Sequence, residues 1–252
     1  MSTALLLTLG LWACSDDGTS TEDTGTGPSD SEDADTDTDA DTDSDTDTDT
    51  DTGASPCPRY FAWHAEGAER HYETGSAWEA DAGYSGTWSQ ATTRFDEDTG
   101  AVEVASEYFW EIDGFSDYVT RSDEHWSCDG DGAWLDRTDS TSSYNFDGVT
   151  YEYGSTVTYS AEGPTLPHDL QVGDTWTVVT VYTTTFEGGS STDGASTTYT
   201  ASLLTTRTTD AGTFDVLQVD FEDDAGVVGT YYLHETLGLV SNTMGDLTAY
   251  SD

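Results

Sequence analysis

The chain has 252 residues, 51 of them acidic, six of them arginine and none of them lysine, for a formal charge of −45. A field of that sign repels nucleic acid and anionic lipid head groups; cations, basic proteins and neutral ligands stay open as partners. Sixteen of the acids fall in residues 15–56, and the other 35, set against all six arginines, leave the remainder of the chain near −29.

Near its start the chain has a short apolar run, Ala4 to Leu9, followed by Leu11-Trp12-Ala13-Cys14 and then by Ser15-Asp16-Asp17, where it turns polar and acidic. A run this short does not span a bilayer as a helix but has the size of the apolar region of a signal peptide. The small residue before a cysteine resembles the lipobox of bacterial lipoproteins, in which the signal is cut before the cysteine and that cysteine carries the lipid. The resemblance implies a signal peptide over 1–13 and a membrane attachment through Cys14. With Ser15 rather than an aspartate next, it also implies the outer membrane of the cell envelope. Met1-Ser2-Thr3 departs from the usual pattern in carrying no Lys or Arg.

Residues 14–56 are predicted to form a disordered linker. Residues 15–56 hold no basic or aromatic side chain, and from Asp33 to Thr52 they run as a near-repeat of Asp-Thr. Such a segment cannot bury enough apolar surface to offset the entropy of ordering. As a neutral coil its 42 residues would reach about 35 Å, and like charges extend it further. The Asp-x-Asp spacing resembles the start of a calcium loop. Counted from Asp47, however, the sixth and twelfth positions are Thr52 and Pro58 where an EF-hand needs Gly and Glu, so no specific metal site is expected.

Residues 57–252 are predicted to form one all-β domain. With Cys14 assigned to the lipid, Cys57 and Cys128 are an even pair in an oxidising compartment and are expected to be bonded rather than to be two buried free thiols. That bond would stabilise the fold by about 4 kcal/mol on the chain-entropy model. From Val102 to Ile112 the even positions are apolar apart from Ser106, while Glu103, Glu107 and Glu111 take odd ones. Phe109 is the exception. Val149, Tyr151, Tyr153, Val157 and Tyr159, and then Trp176, Val178, Tyr182 and Phe186, repeat the two-residue period. Each set predicts a half-buried antiparallel strand.

Turns are expected at Asp113-Gly114, Asp129–Gly132, Asp147-Gly148, Gly188-Gly189, Asp193-Gly194, Ala211-Gly212 and Ala225-Gly226. No window predicts a helix, since Thr, Val and Tyr dominate. Pro164 and Pro167 forbid a central strand and predict a crossing loop that delivers Trp176 to the next strand. The expected architecture is a curved antiparallel meander, closing into a β-sandwich or a partial barrel.

The second half carries Leu170-Gln-Val172-Gly173-Asp174-Thr175-Trp176, Ala211-Gly212-Thr213-Phe214-Asp215-Val-Leu217-Gln-Val219, Gly229-Thr-Tyr231-Tyr232-Leu233 and Gly238-Leu239-Val240. These stretches resemble, in the same order, the loop, hairpin and strand pair of a group of bacterial lipoprotein-type β domains. The resemblance implies an all-β fold and export and brings no catalytic residues. Physically, Gly173 and Gly212 read as turn positions, Trp176 and Phe214 as core plugs, and Leu217, Val219 and Phe221 as one buried face.

No catalytic constellation is legible. His64, His71, His125, His168 and His234 lie in five separate segments without metal-ligand spacing, and no nucleophile elbow occurs. A domain with 35 carboxylates contains suitable pairs by chance, so pairing alone says nothing of glycoside chemistry. The expectation is a non-enzymatic, cofactor-free, monomeric module with a binding or structural role at the envelope. The alternative is a carrier of a lipophilic or carbohydrate ligand in the concave face of the sheet.

Overall fold

The computed structural model describes residues 55–61, 65–112 and 116–251. Cys14, the acidic linker, His64 and the Asp113-Gly114 turn lie outside the described residues. The chain forms β1 (Glu69–Thr74), α1 (Ser76–Ala82), β2 (Ser85–Asp96), β3 (Ala101–Glu111), β4 (Ser116–Cys128), β5 (Gly132–Phe146), β6 (Val149–Glu162) and β7 (Leu166–Pro167). It continues with β8 (Thr175–Phe186), β9 (Gly189–Thr209), β10 (Gly212–Asp223), β11 (Val228–His234), β12 (Gly238–Asn242) and β13 (Gly245–Ser251).

All strand pairs are antiparallel. β4 through β1, then β13 down to β8, then β6 and β5 follow one another as hydrogen-bonded neighbours, and β4 also pairs with β5. Twelve strands thereby close on themselves, and β7 is a two-residue addition beside β5. The architecture is a closed barrel rather than a sandwich or a partial barrel. Closure rests on the pairing of β1 with β13, which joins residues at opposite ends of the domain, a contact no local pattern encodes.

Inner faces fill with side chains. On β3, Val102, Val104, Ser106, Tyr108 and Trp110 are buried, while Glu107, Phe109 and Glu111 face water, as the alternation requires. Tyr72, Trp88, Tyr108, Trp110, Phe214, Val216, Leu237, Val240 and Leu247 make one cluster. Tyr60, Leu170, Val178, Tyr199, Leu217, Val219 and Tyr231 belong to a second, with Trp176 and Phe221 packed at its side. A third holds Cys57, Phe61, Val102, Val104, Trp126, Cys128 and Ala133. Residues 55–61 thus enter two clusters, and the Cys57–Cys128 disulfide, with Cα atoms 4.8 Å apart, fixes them to the last residue of β4. The outer face carries ion pairs such as Arg121 Nε to Glu107 at 2.6 Å and Arg94 to Glu103 at 3.2 Å, and rows of threonine.

Three local expectations are corrected. A seven-residue helix, α1, follows β1; its Trp78 packs edge-on against Tyr84 at 4.9 Å, and Gly83 closes it in the left-handed region with φ 78°. Ala77, Glu79, Ala80 and Ala82 favour the helix locally, in a stretch too short to stand out from the Thr-, Val- and Tyr-rich sequence around it, and the glycine cap and the packing of Trp78 complete it. Asp193-Gly194 is not a turn. The chain has already reversed at Glu187-Gly188, and Gly194 stands within β9 opposite Val181. Val149, Tyr151 and Tyr153 are exposed, although Val157 on the same face of β6 is buried.

Candidate functional site

The exposed stretch of β6 is the feature that sequence periodicity assigned to a half-buried strand. β5 and β6 turn at Asp147-Gly148, where both residues have positive φ (52° and 77°) and Asn145 Oδ1 accepts a hydrogen bond from Gly148 N at 3.1 Å. This is the tight turn that Asp-Gly favours, and its twist matches that of the flanking strands. Register then places Phe146 opposite Val149, Tyr144 opposite Tyr151, and Ser142 opposite Tyr153. β8 ends at Phe186, opposite Ser155. Residues 149–154 of β6 therefore extend past β8, and both faces of the strand reach water.

On the inward-facing side of this extension stands a row of rings. Tyr118 of β4 stacks on Tyr144 of β5 at 5.6 Å and 9°, and Tyr144 stacks on Tyr151 of β6 at 5.2 Å and 18°. Tyr153 meets Tyr144 edge-on at 6.5 Å, and its hydroxyl shares a hydrogen bond with that of Tyr118 at 2.9 Å. Burial, then the hydrogen bond to Tyr153, raises the Tyr118 phenol above its ordinary value, so it stays neutral at physiological pH. Tyr118 also packs against the first core cluster, tying the row to the interior. At the far end Tyr151 is 44 % exposed and Tyr153 42 %, with Phe146, Val149 and Phe186 likewise exposed around them.

This end is also electronegative. No Lys or Arg occurs between Arg137 and Arg207, whereas Asp147, Glu152 and Glu187 lie on or beside the two hairpin tips.

The remaining site residues fall apart in space. Among the described residues no group of three His, Cys, Asp or Glu is placed to hold a metal ion. His125 Nε2 lies 3.4 Å from Asp139, His71 Nε2 lies 3.8 Å from Glu69, His168 Nδ1 lies 3.3 Å from Asp169, and His234 accepts from Thr236 N at 3.3 Å. The acidic turns use their carboxylates locally. Asp129 Oδ1 accepts from Asp131 N at 2.9 Å and Gly132 N at 3.1 Å, and Asp96 Oδ1 accepts from Asp98 N at 3.2 Å and Thr99 N at 3.1 Å.

Sequence reasoning missed Glu124, which is 4 % exposed on the inner face of β4. Trp126 Nε1 donates to its Oε2 at 3.1 Å and Ser106 Oγ to its Oε1 at 3.5 Å. Burial raises its pKa to about 7, against these two hydrogen bonds, which lower it. Its signal is the alternation of β4, where 122, 124, 126 and 128 share the buried face, but with Ser122 and Glu124 on that face the apolar period is too faint to mark a strand.

Comparison with known protein families, with curated proteins and with solved structures finds no match to this chain.

Proposed function

We propose that the protein is an exported, monomeric lipoprotein, held at the outer membrane through a lipid on Cys14, with residues 14–56 as an acidic tether and the β-barrel as a non-catalytic binding module. The observation that carries the binding role is the stacked row Tyr118–Tyr144–Tyr151, continuous with the core at one end and open to water at the other. Contiguous exposed apolar surface marks an interaction site, whereas singly scattered residues need no explanation. The Cys57–Cys128 bond supports export, because disulfides persist in oxidising compartments.

The carrier reading is narrowed by the core. Below the tyrosine row the inner face is occupied by the three side-chain clusters, so a ligand sits at the open end of the barrel, on the rings, rather than deep in the concave face.

Two readouts on the full-length protein test this. A fatty-acid label enters the wild type and not Cys14→Ala if the lipid is where the signal places it. In native mass spectra of protein taken gently from the envelope, a noncovalent mass is expected on the wild type and not on Tyr144→Ala/Tyr151→Ala. Bare, identical spectra for the two would overturn the binding role.

A further inference from the structure

Phe146 and Val149 flank the two-residue turn and pair across it. In that geometry they exchange the first ladder bonds of the hairpin, so the N–H and C=O groups of Thr150, Glu152 and Gly154 point to the opposite side of β6. On that side β6 gains a partner only from Ser155 onward, where β8 begins to pair with it, and among the described residues no other strand pairs with residues 149–154. All six of these residues are exposed.

An open edge of this kind is a template for a further strand. Natural proteins commonly blunt such edges with lysine or proline, and Val-Thr-Tyr-Glu-Tyr-Gly contains neither. A strand laid there would continue the line of β8 beyond Phe186. Its inward side chains would lie over Tyr151, Tyr153 and Phe186, and its neighbours would be the carboxylates of Glu152 and Glu187. A second copy of this chain is a poor occupant, since it brings another domain of charge near −29.

We infer that the ligand of the aromatic end is an extended basic polypeptide segment, bound by strand addition along residues 149–154 of β6, with the arginine or lysine side chains of its inward face stacked on the tyrosines and the field of the surrounding acids, Glu152 on the opposite face among them, favouring a segment of positive charge. This rests on the proposed binding role of the tyrosine row and adds the chemistry of the partner.

The test is a titration of the full-length protein with a nine-residue peptide of alternating Arg and Thr. A peptide of the same sequence, N-methylated at every second amide in either register, serves as control. The plain peptide is expected to bind, more weakly as salt rises, and methylation on the edge-facing amides is expected to weaken binding at least about tenfold, because those amides can no longer donate. Thr150→Pro, which removes one edge N–H without touching a ring or a charge, is expected to act likewise. Amide exchange at Glu152 and Gly154 should slow in the complex, a readout independent of how well the variant folds.

Equal binding of plain and methylated peptides, lost in Tyr151→Ala, would overturn strand addition and leave the tyrosine row as the binding surface. No binding of any peptide, in a protein whose native mass spectrum still carries a mass that depends on Tyr151, would overturn the basic-peptide assignment and keep the binding role. No peptide binding together with a bare spectrum would overturn both.

Discussion

Tyr144 and Tyr151 face each other directly across the β5–β6 pair, their rings 5.2 Å apart and inclined by 18°. Tyr144 has a second ring, Tyr118, on its other side, whereas Tyr151 stands where β8 has already ended. The same kind of pairing that seals the core with Tyr72 on Trp88, at 4.8 Å and 7°, is here left open at one end.

Because Tyr151 ends the row, truncating it costs little stability and much binding. Tyr151→Ala should lower the free energy of unfolding by about 0.5–1.5 kcal/mol, the worth of one aromatic pair beyond area burial. Chemical denaturation measures the first effect and peptide titration the second.

Glu124 makes stability depend on pH in the direction opposite to ordinary acids. Its carboxyl holds its proton up to about pH 7 in the folded barrel but only to about 4.5 when unfolded, so the folded state binds more protons between those values. Stability should therefore fall from pH 4.5 to above 7, by about 3 kcal/mol at most. Asp220 acts in the other sense: although partial burial raises it, hydrogen bonds from Ser202, Thr230 and Gln218 hold it below its usual value. Its contribution is lost as pH falls through the lowered value. Denaturation midpoints across pH 3–8 should peak near pH 4.5, and Glu124→Gln should flatten the decline on the neutral side.

Cys57 and Cys128 are 71 positions apart. Replacing both with serine should cost about 4 kcal/mol, because the unfolded chain regains the freedom of that loop, and should loosen Tyr60 and Phe61 from their clusters. Thermal unfolding with and without reductant measures it, and a wild type insensitive to reductant would refute the assignment.

Gly229 lies opposite Phe221, and a Cβ there would enter the Phe221 ring and come within 2.8 Å of Thr243 Oγ1. Gly229→Ala should destabilise by about 1–3 kcal/mol through overpacking. Gly130→Ala, with open space around it and no positive φ, should be close to neutral.

What the sequence made legible is what depends on neighbours along the chain. The inner face of β3, the Asp147-Gly148 turn, the left-handed Gly173 (φ 100°) and the Leu217 and Val219 face follow from a period of two and from turn chemistry. Ring closure through β1 and β13 was not legible, since it depends on strand order across the whole domain. Nor was the exposure of Val149, Tyr151 and Tyr153. Their alternation is that of a buried face, and only the end of β8 at Phe186 decides that nothing covers them. The candidate site was therefore present in the sequence as residues and hidden as a surface.

The most direct measurement of the central claim is tyrosine footprinting of the full-length protein, first in the intact cells that make it and then after purification. Tyr250, 43 % exposed on β13, serves as the internal reference. If the open end of the tyrosine row is the binding surface, Tyr151 and Tyr153 are protected in the cells and become reactive on purification, while Tyr250 reacts alike in both. Equal reactivity of Tyr151 in the two states, with Tyr250 unchanged, would contradict the account.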